Sequence, residues 1–195
     1  MRKTALLLAA LLFLAPSLAW AGGPEGFVKD KQGELAKLIK KGKSDGNDKK
    51  IEAVFDELLD YERLARESLH DHWQERSEAE RKEFQGILKR LVRNAYRRNL
   101  KKTLDYNIEF RGETKAKTGY LVRTVARSKK DAREEPISVD YVLHQVDGRW
   151  LVYDIVTEGS SLVNNYRNQF RRVIKKNGFE ELLRRMKRKL AEERS

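Results

Sequence analysis

The sequence predicts an α+β fold, a curved antiparallel sheet of about four strands packed against several helices. Three observations carry this. Apolar residues recur at helical spacing from Phe27 to Tyr96, alternate strictly from Tyr106 to Val156, and return to helical spacing from Leu162 onward. A sheet curved over its helices leaves room between the two layers for an apolar cavity.

The first helix is marked by Phe27, Lys31, Leu35, Leu38 and Ile39, and Gly42 ends it. After a polar loop over 43–47, Ile51, Val54, Phe55, Leu58 and Leu59 mark a second amphipathic helix. Ser77 and Glu80 form a capping box, in which each side chain satisfies the other's free amide donor. The long helix it opens carries Phe84, Ile87, Leu88, Leu91, Ala95 and Tyr96 on one face.

Four strands follow. Tyr106, Ile108 and Phe110 alternate with polar neighbours, and Tyr120, Val122 and Thr124 alternate with Leu121, Arg123 and Val125. Ile137, Val139, Tyr141 and Leu143 form one side of a third strand. In the fourth, Trp150, Val152, Asp154 and Val156 are expected to oppose Leu151, Tyr153 and Ile155. Asp147-Gly148 between the last two is a two-residue hairpin turn, since both residue types tolerate positive φ. Two helices close the chain. One carries Leu162, Val163, Tyr166, Phe170, Val173 and Ile174, the other Phe179, Leu182, Leu183, Met186 and Leu190.

The N-terminus predicts export. Arg2 and Lys3 precede an apolar run over 5–14, Pro16 and Ser17 break it, and Ala19-Trp20-Ala21 offers small residues where a signal peptidase cuts. The run is about half the ~20 residues that span a bilayer. Residues 1–21 therefore read as a signal peptide cleaved after Ala21, and 22–195 as a single soluble domain in the periplasm. The chain has no cysteine, which rules out a lipid-modified cysteine and leaves packing alone to hold an exported fold. The formal net charge is +12. Nine basic residues stand against the single acid Glu83 over 81–102, and ten against four over 171–195. Export argues against nucleic acid, so an anionic membrane surface, touched transiently, or an acidic protein partner fits this charge better.

Chemistry has little to stand on. The three histidines are His70, His72 and His144, and the first two are spaced poorly for one metal on a helix. Asp154 beside Tyr153 is the one hint of an acid–base pair, and an aspartate ending a strand is commonly structural. No phosphate loop or nucleophile elbow occurs.

A resemblance to a family lies in the last strand and the helix after it. Trp150-Leu151-Val152-Tyr153-Asp154, Glu158-Gly159-Ser160-Ser161-Leu162-Val163 and Asn165-Tyr166-Arg167-Asn168-Gln169-Phe170 resemble the signature of the MlaC family, the toluene-tolerance auxiliary proteins of an ABC-type phospholipid transport system. Leu64 to Trp73 and Arg81 to Phe84 resemble the family too, with His70 where a glycine is common and Ser160 where an apolar residue is usual. The resemblance implies a lipid cavity, exchange with an inner-membrane ABC transporter complex and its substrate-binding subunit, exchange with an outer-membrane lipoprotein–porin complex, and no catalysis. No cofactor is implied; the phospholipid is cargo, and a carrier that docks and leaves is simplest as a monomer.

A diacyl lipid needs aliphatic and aromatic walls. The candidates are Tyr141, Leu143, Trp150, Val152, Tyr153, Ile155, Leu162, Val163, Tyr166 and Phe170, joined by Phe84 and Leu88 from the long helix. Strict alternation sets Trp150 and Val152 on one face of the strand and Tyr153 and Ile155 on the other, and either set is open as the lining. Arg167 is the candidate for the headgroup phosphate, with an ion pair to Asp154 or Glu158 as the alternative. A non-transport scaffold or chaperone using the basic faces, and a small cone-shaped enzyme, are the competing functions.

Overall fold

The computed structural model describes residues 22–42 and 44–193, apart from the side chains of Leu100 and Lys101; the expected signal peptide lies outside the described residues. The helices are α1 (Gly23–Lys40), α2 (Asp45–Leu58), α3 (Tyr61–Leu69), α4 (Asp71–Gln74) and α5 (Glu78–Thr103) before the sheet. The strands are β1 (Tyr106–Ala116), β2 (Gly119–Ser128), β3 (Ile137–Val146), β4 (Arg149–Thr157) and β5 (Ser160–Ser161), and α6 (Leu162–Asn177) and α7 (Phe179–Glu192) follow. The sheet is one open antiparallel meander in the order β1-β2-β3-β4-β5, so a two-residue strand extends the four expected from alternation.

Local chemistry sets the element ends. Gly42, at φ 83°, follows α1, and the buried Asn47 donates to the Leu38 and Gly42 carbonyls at 2.8 and 2.7 Å. The Ser44 hydroxyl accepts from the Asn47 amide at 3.3 Å, so α2 begins inside the stretch expected as loop. The capping box forms as expected: the Ser77 amide donates to Glu80 at 2.7 Å and the Glu80 amide to Ser77 Oγ at 3.3 Å. Asp147 and Gly148 take φ values of 50° and 76°, both positive as the tight β3–β4 turn requires.

Two helices of the helical layer escaped the periodicity, namely α3 and the short α4. They are separated by His70 at φ 50°, ψ −117°, a conformation glycine adopts freely. A glycine, which the family resemblance leads one to expect there, would take this conformation without strain. The break takes His70 off the helix on which sequence had placed it beside His72.

Two β-bulges shape the sheet. One lies between Phe110 and Glu113 of β1, around Gly112 at φ 91°. The other is in β4: Val142 pairs with Asp154 but Leu143 pairs with Val152, so β4 carries one extra residue there. The bulge corrects the expected alternation. Trp150, Val152 and Ile155 share the inner face with Tyr141 and Leu143, Asp154 leaves it, and Tyr153 stays on the opposite side. Gly119 lets β2 lie close to β3, because a Cβ there would meet the Leu143 carbonyl oxygen at 1.9 Å.

The helices cover the inner face. α1 packs on β1 and β2, and α2, α3 and α6 pack on β4. Val28, Leu64, Phe84, Ile87, Leu88, Val92, Val122, Leu143 and Val152 are 2% exposed or less and form the dense centre. We expect His70→Gly to raise unfolding stability by about 1 kcal/mol, read from the urea midpoint, because it relieves a positive φ at a half-exposed side chain.

Candidate functional site

The inner side of the molecule changes character along its length. At one end α5, α6 and α7 close tightly. Phe84 meets Phe170 edge-on at 5.4 Å and Phe179 at 6.2 Å, and Leu88 and Val163 are buried beside them. At the other end packing is looser. A pocket of about 280 Å³ opens between α5 and the start of α6, lined by Val92, Ala95, Tyr96, Asn99, Thr103, Leu162 and Tyr166. Val92, Ala95, Tyr96, Asn99 and Thr103 recur at helical spacing, so one stripe of α5 forms a wall. Tyr141, Ile155, Leu162, Tyr166 and Phe110 are half-buried against the core, so the sheet face nearby is also incompletely covered.

Three tyrosine rings gather there. Tyr166 stacks on Phe170 at 5.2 Å, and Tyr96 lies 5.3 Å from Phe55. Gln32 Nε2 donates to the Tyr141 hydroxyl at 2.7 Å. Burial pushes the Tyr96 hydroxyl well above the ordinary tyrosine range and raises those of Tyr141 and Tyr166, with the nearby Glu193 charge adding to the effect at Tyr166. The rings therefore stay neutral over the physiological range, giving a wall that is apolar apart from a few hydroxyls.

The sequence candidates divide into three groups. Leu162 and Tyr166 line the pocket, with Tyr141 and Ile155 half-buried on the adjoining sheet face. Phe84, Leu88, Leu143, Trp150, Val152, Val163 and Phe170 belong to the closed core. Tyr153 stands apart on the other side of the sheet. The Arg63 guanidinium lies 3.6 Å from its ring centre, His144 meets it edge-on, and Thr118 bonds its hydroxyl at 2.9 Å. The sequence reading stopped short of the distal half of α5. Its signal was present in Ala95 and Tyr96, the end of the stripe that begins at Phe84.

Arg167 is engaged elsewhere. Its Nε donates to the Glu67 carbonyl at 2.9 Å, Nη2 to the Glu67 carboxylate at 3.4 Å and Nη1 to Asn164 at 3.3 Å. It joins α6 to α3, with neither Asp154 nor Glu158 as partner. Asp154 is structural. It accepts from the Ile155 and Val163 amides at 2.9 and 3.0 Å and from the Ser161 hydroxyl at 2.6 Å, fixing the start of α6 to β4. Among the described residues no three acidic or histidine side chains gather as a metal site.

The basic patch on α7 is largely paired, and the one on α5 is paired in part. Arg93 meets Asp56 and Glu52, Arg184 and Arg185 share Glu181, Lys187 meets Glu83 at 2.6 Å and Arg188 meets Glu192 at 3.9 Å. A concavity of about 450 Å³ between α6 and α7 is lined by Gln169, Arg172, Val173, Lys176, Asn177 and Arg185. It is larger than the α5–α6 pocket but too polar to hold hydrocarbon.

An α+β layer fold with an apolar pocket between its helices is the architecture of a protein that can hold a small apolar ligand. The chain belongs to the MlaC protein family, whose model matches residues 30–188. It is similar in fold to a phospholipid-binding protein from Ralstonia solanacearum whose structure was solved in complex with a phospholipid. That similarity has a TM-score of 0.74 and 24% identity, and it covers 88% of this chain and 98% of the other. No curated protein sequence matches the chain. No helix among the described residues is long and apolar enough to cross a membrane.

The tyrosine environment gives a pH prediction. A hydroxyl whose folded pKa is raised contributes stability in full below the unfolded value of about 10 and loses it as pH climbs toward the folded value. Chemical denaturation between pH 8 and 11.5 should therefore show stability falling above about pH 10, and Tyr96→Phe should flatten that fall.

Proposed function

We propose that this protein is a periplasmic phospholipid carrier that shuttles lipid between inner- and outer-membrane complexes of an Mla-type ABC transport system, maintaining the lipid asymmetry of the outer membrane. The observation that carries this reading is the apolar α5–α6 pocket beside a half-covered sheet face, in a member of the MlaC family. The Ralstonia solanacearum protein with a bound phospholipid supports it by likeness of fold.

The pocket's size shapes the mechanism. About 280 Å³ lies below the ~300–1,000 Å³ common for small ligands. A two-chain lipid therefore requires α5 and α6 to part from the sheet, at the loosely packed end and not at the Phe84–Phe170 end. Burying ~30 methylenes at ~0.8 kcal/mol each gives ~24 kcal/mol gross relative to water, above the practical affinity ceiling of roughly 18–21 kcal/mol. Release into water would be very slow. Passage from pocket to bilayer or partner is close to neutral, because both environments are apolar. The carrier thus needs partners: the transporter with its substrate-binding subunit on one side and the lipoprotein–porin complex on the other.

Cations without a carboxylate partner among the described residues suit such docking. Arg90, Arg97 and Lys102 on α5 and Arg171, Lys175 and Lys176 on α6 are of this kind. Each is worth ~1 kcal/mol beside an anionic membrane surface, screened beyond about 10 Å at 0.1 M salt. The protein acts as a monomer that docks and departs. The acid–base reading loses its support because Asp154 is committed to the β4–α6 junction.

Native mass spectrometry of the exported protein, purified without detergent, should show about one phospholipid per chain. Ala95→Trp, which fills the pocket from the α5 wall, should fold and carry none. Wild-type protein that is free of lipid and takes none from liposomes would refute the carrier reading.

A further inference from the structure

With Arg167 committed to Glu67, the pocket needs another cation for a lipid headgroup, and one stands on the flank of α5 next to the lining stripe. Ala95 and Asn99 line the pocket, and Arg98 lies one turn beyond Ala95 and next to Asn99 on the α5 flank that faces α7. Its Nη1 is 2.9 Å from Glu193 Oε1, where α7 ends. Asn94, one turn earlier on the same flank, donates to the other carboxylate oxygen at 3.0 Å. The Glu193 side chain is only 11% exposed, whereas Arg98 is 51% exposed. Besides burial, Glu193 raises the Tyr166 hydroxyl pKa and Arg98 opposes it.

An acid is poorly placed at the C-terminal end of a helix, where the backbone dipole is negative. Glu193 is held there by Arg98 and Asn94. The arrangement is a guanidinium adjoining the α5 wall of an apolar pocket, holding an anion that the helix dipole disfavours. A phosphate is the better partner, since guanidinium can bind it through two parallel N–H···O bonds. Exchange of one anion for the other leaves Arg98 paired throughout, while Asn94 still donates to the released Glu193 carboxylate, which can turn to solvent at the end of α7. Lys102, one further turn along α5, has no carboxylate partner among the described residues and adds positive charge on the same flank.

We propose that Arg98 binds the headgroup phosphate of the carried phospholipid, and that Glu193 holds its guanidinium until the phosphate displaces the carboxylate. This rests on the carrier reading above. It assigns the site a preference: a lipid with a phosphate over the same two chains without one.

The test offers mature protein vesicles containing equal amounts of phosphatidylglycerol and the diacylglycerol with identical chains, and counts each bound lipid by native mass spectrometry. Wild type should favour the phospholipid. Arg98→Ala should lower that ratio roughly ten- to hundredfold while loading diacylglycerol as wild type does. Arg98→Lys, which keeps the charge without the planar fork, should retain part of the preference and guards against a folding defect in the alanine variant. Glu193→Gln should preserve or raise the ratio. An unchanged ratio in Arg98→Ala overturns the assignment, as does a Glu193→Gln ratio that falls equally, which would make the pair purely structural. Loss of phospholipid uptake in millimolar inorganic phosphate would reassign Arg98 to free phosphate and overturn the headgroup role. A wild type that takes neither lipid removes the carrier reading, an outcome distinct from selective failure of the arginine variants.

Discussion

The extra residue in β4 is the constraint on which the site depends. Without it, strict alternation would carry Asp154 onto the inner face with Trp150 and Val152, placing a carboxylate against hydrocarbon. An unpaired charge in such surroundings is strongly unfavourable. The bulge exchanges the two sides. Ile155 joins the apolar inner face opposite Tyr141, and Asp154 turns to the strand's end, where it accepts from two amides and a hydroxyl. The same irregularity thus clears a wall of charge and anchors the helix that forms the opposite wall. Tyr153 keeps the side opposite Val152 that alternation gives it, and Arg63 and His144 enclose it there.

Packing divides the helical layer into a fixed end and a yielding end. The Phe84–Phe170–Phe179 cluster and the fully buried aliphatic residues around it hold α5, α6 and α7 together. Toward the α5 C-terminus the contacts are tyrosine rings, a pocket and side-chain polar bonds from Arg98 and Asn94 to Glu193. Dense cores resist deformation, whereas sparse contacts open at low cost. A carrier needs both: a body that survives repeated loading and one seam that gives. The ion pair from Arg167 to Glu67 fits the fixed end, because it secures α6 to α3 away from that seam.

Much of this was legible in the sequence because local chemistry agreed with the final structure. The capping box at Ser77, the Asp147-Gly148 turn and the change of period at Tyr106 each placed an element correctly. What escaped depended on long-range contacts. The β4 bulge is specified by Asp154 finding Val163 and Ser161, which no two-residue period reveals. The short α3 carries Tyr61, Leu64, Ala65 and Leu69 inward, but its few turns and its break at His70 give little periodic signal. From sequence alone Arg167 matches a headgroup phosphate or the nearby Asp154 or Glu158, because its actual partner, Glu67, is distant in sequence. The basic runs suggested open patches, and tertiary pairing neutralised many of their members. The pocket wall was half visible, since the apolar stripe of α5 was followed only to Tyr96 and gives way to Asn99 and Thr103.

The central claim is that the inner side of the sheet and the distal half of α5 hold the acyl chains. The most direct measurement uses a phospholipid with a photoreactive group at the end of one chain, with adducts located by peptide mass spectrometry after irradiation. The account predicts adducts in residues 92–103 of α5, at Leu162 and Tyr166, and on Tyr141 or Ile155. Adducts confined to Tyr153, Leu121 and Val142 on the other side of the sheet, or to Arg172 and Lys176 between α6 and α7, would contradict it.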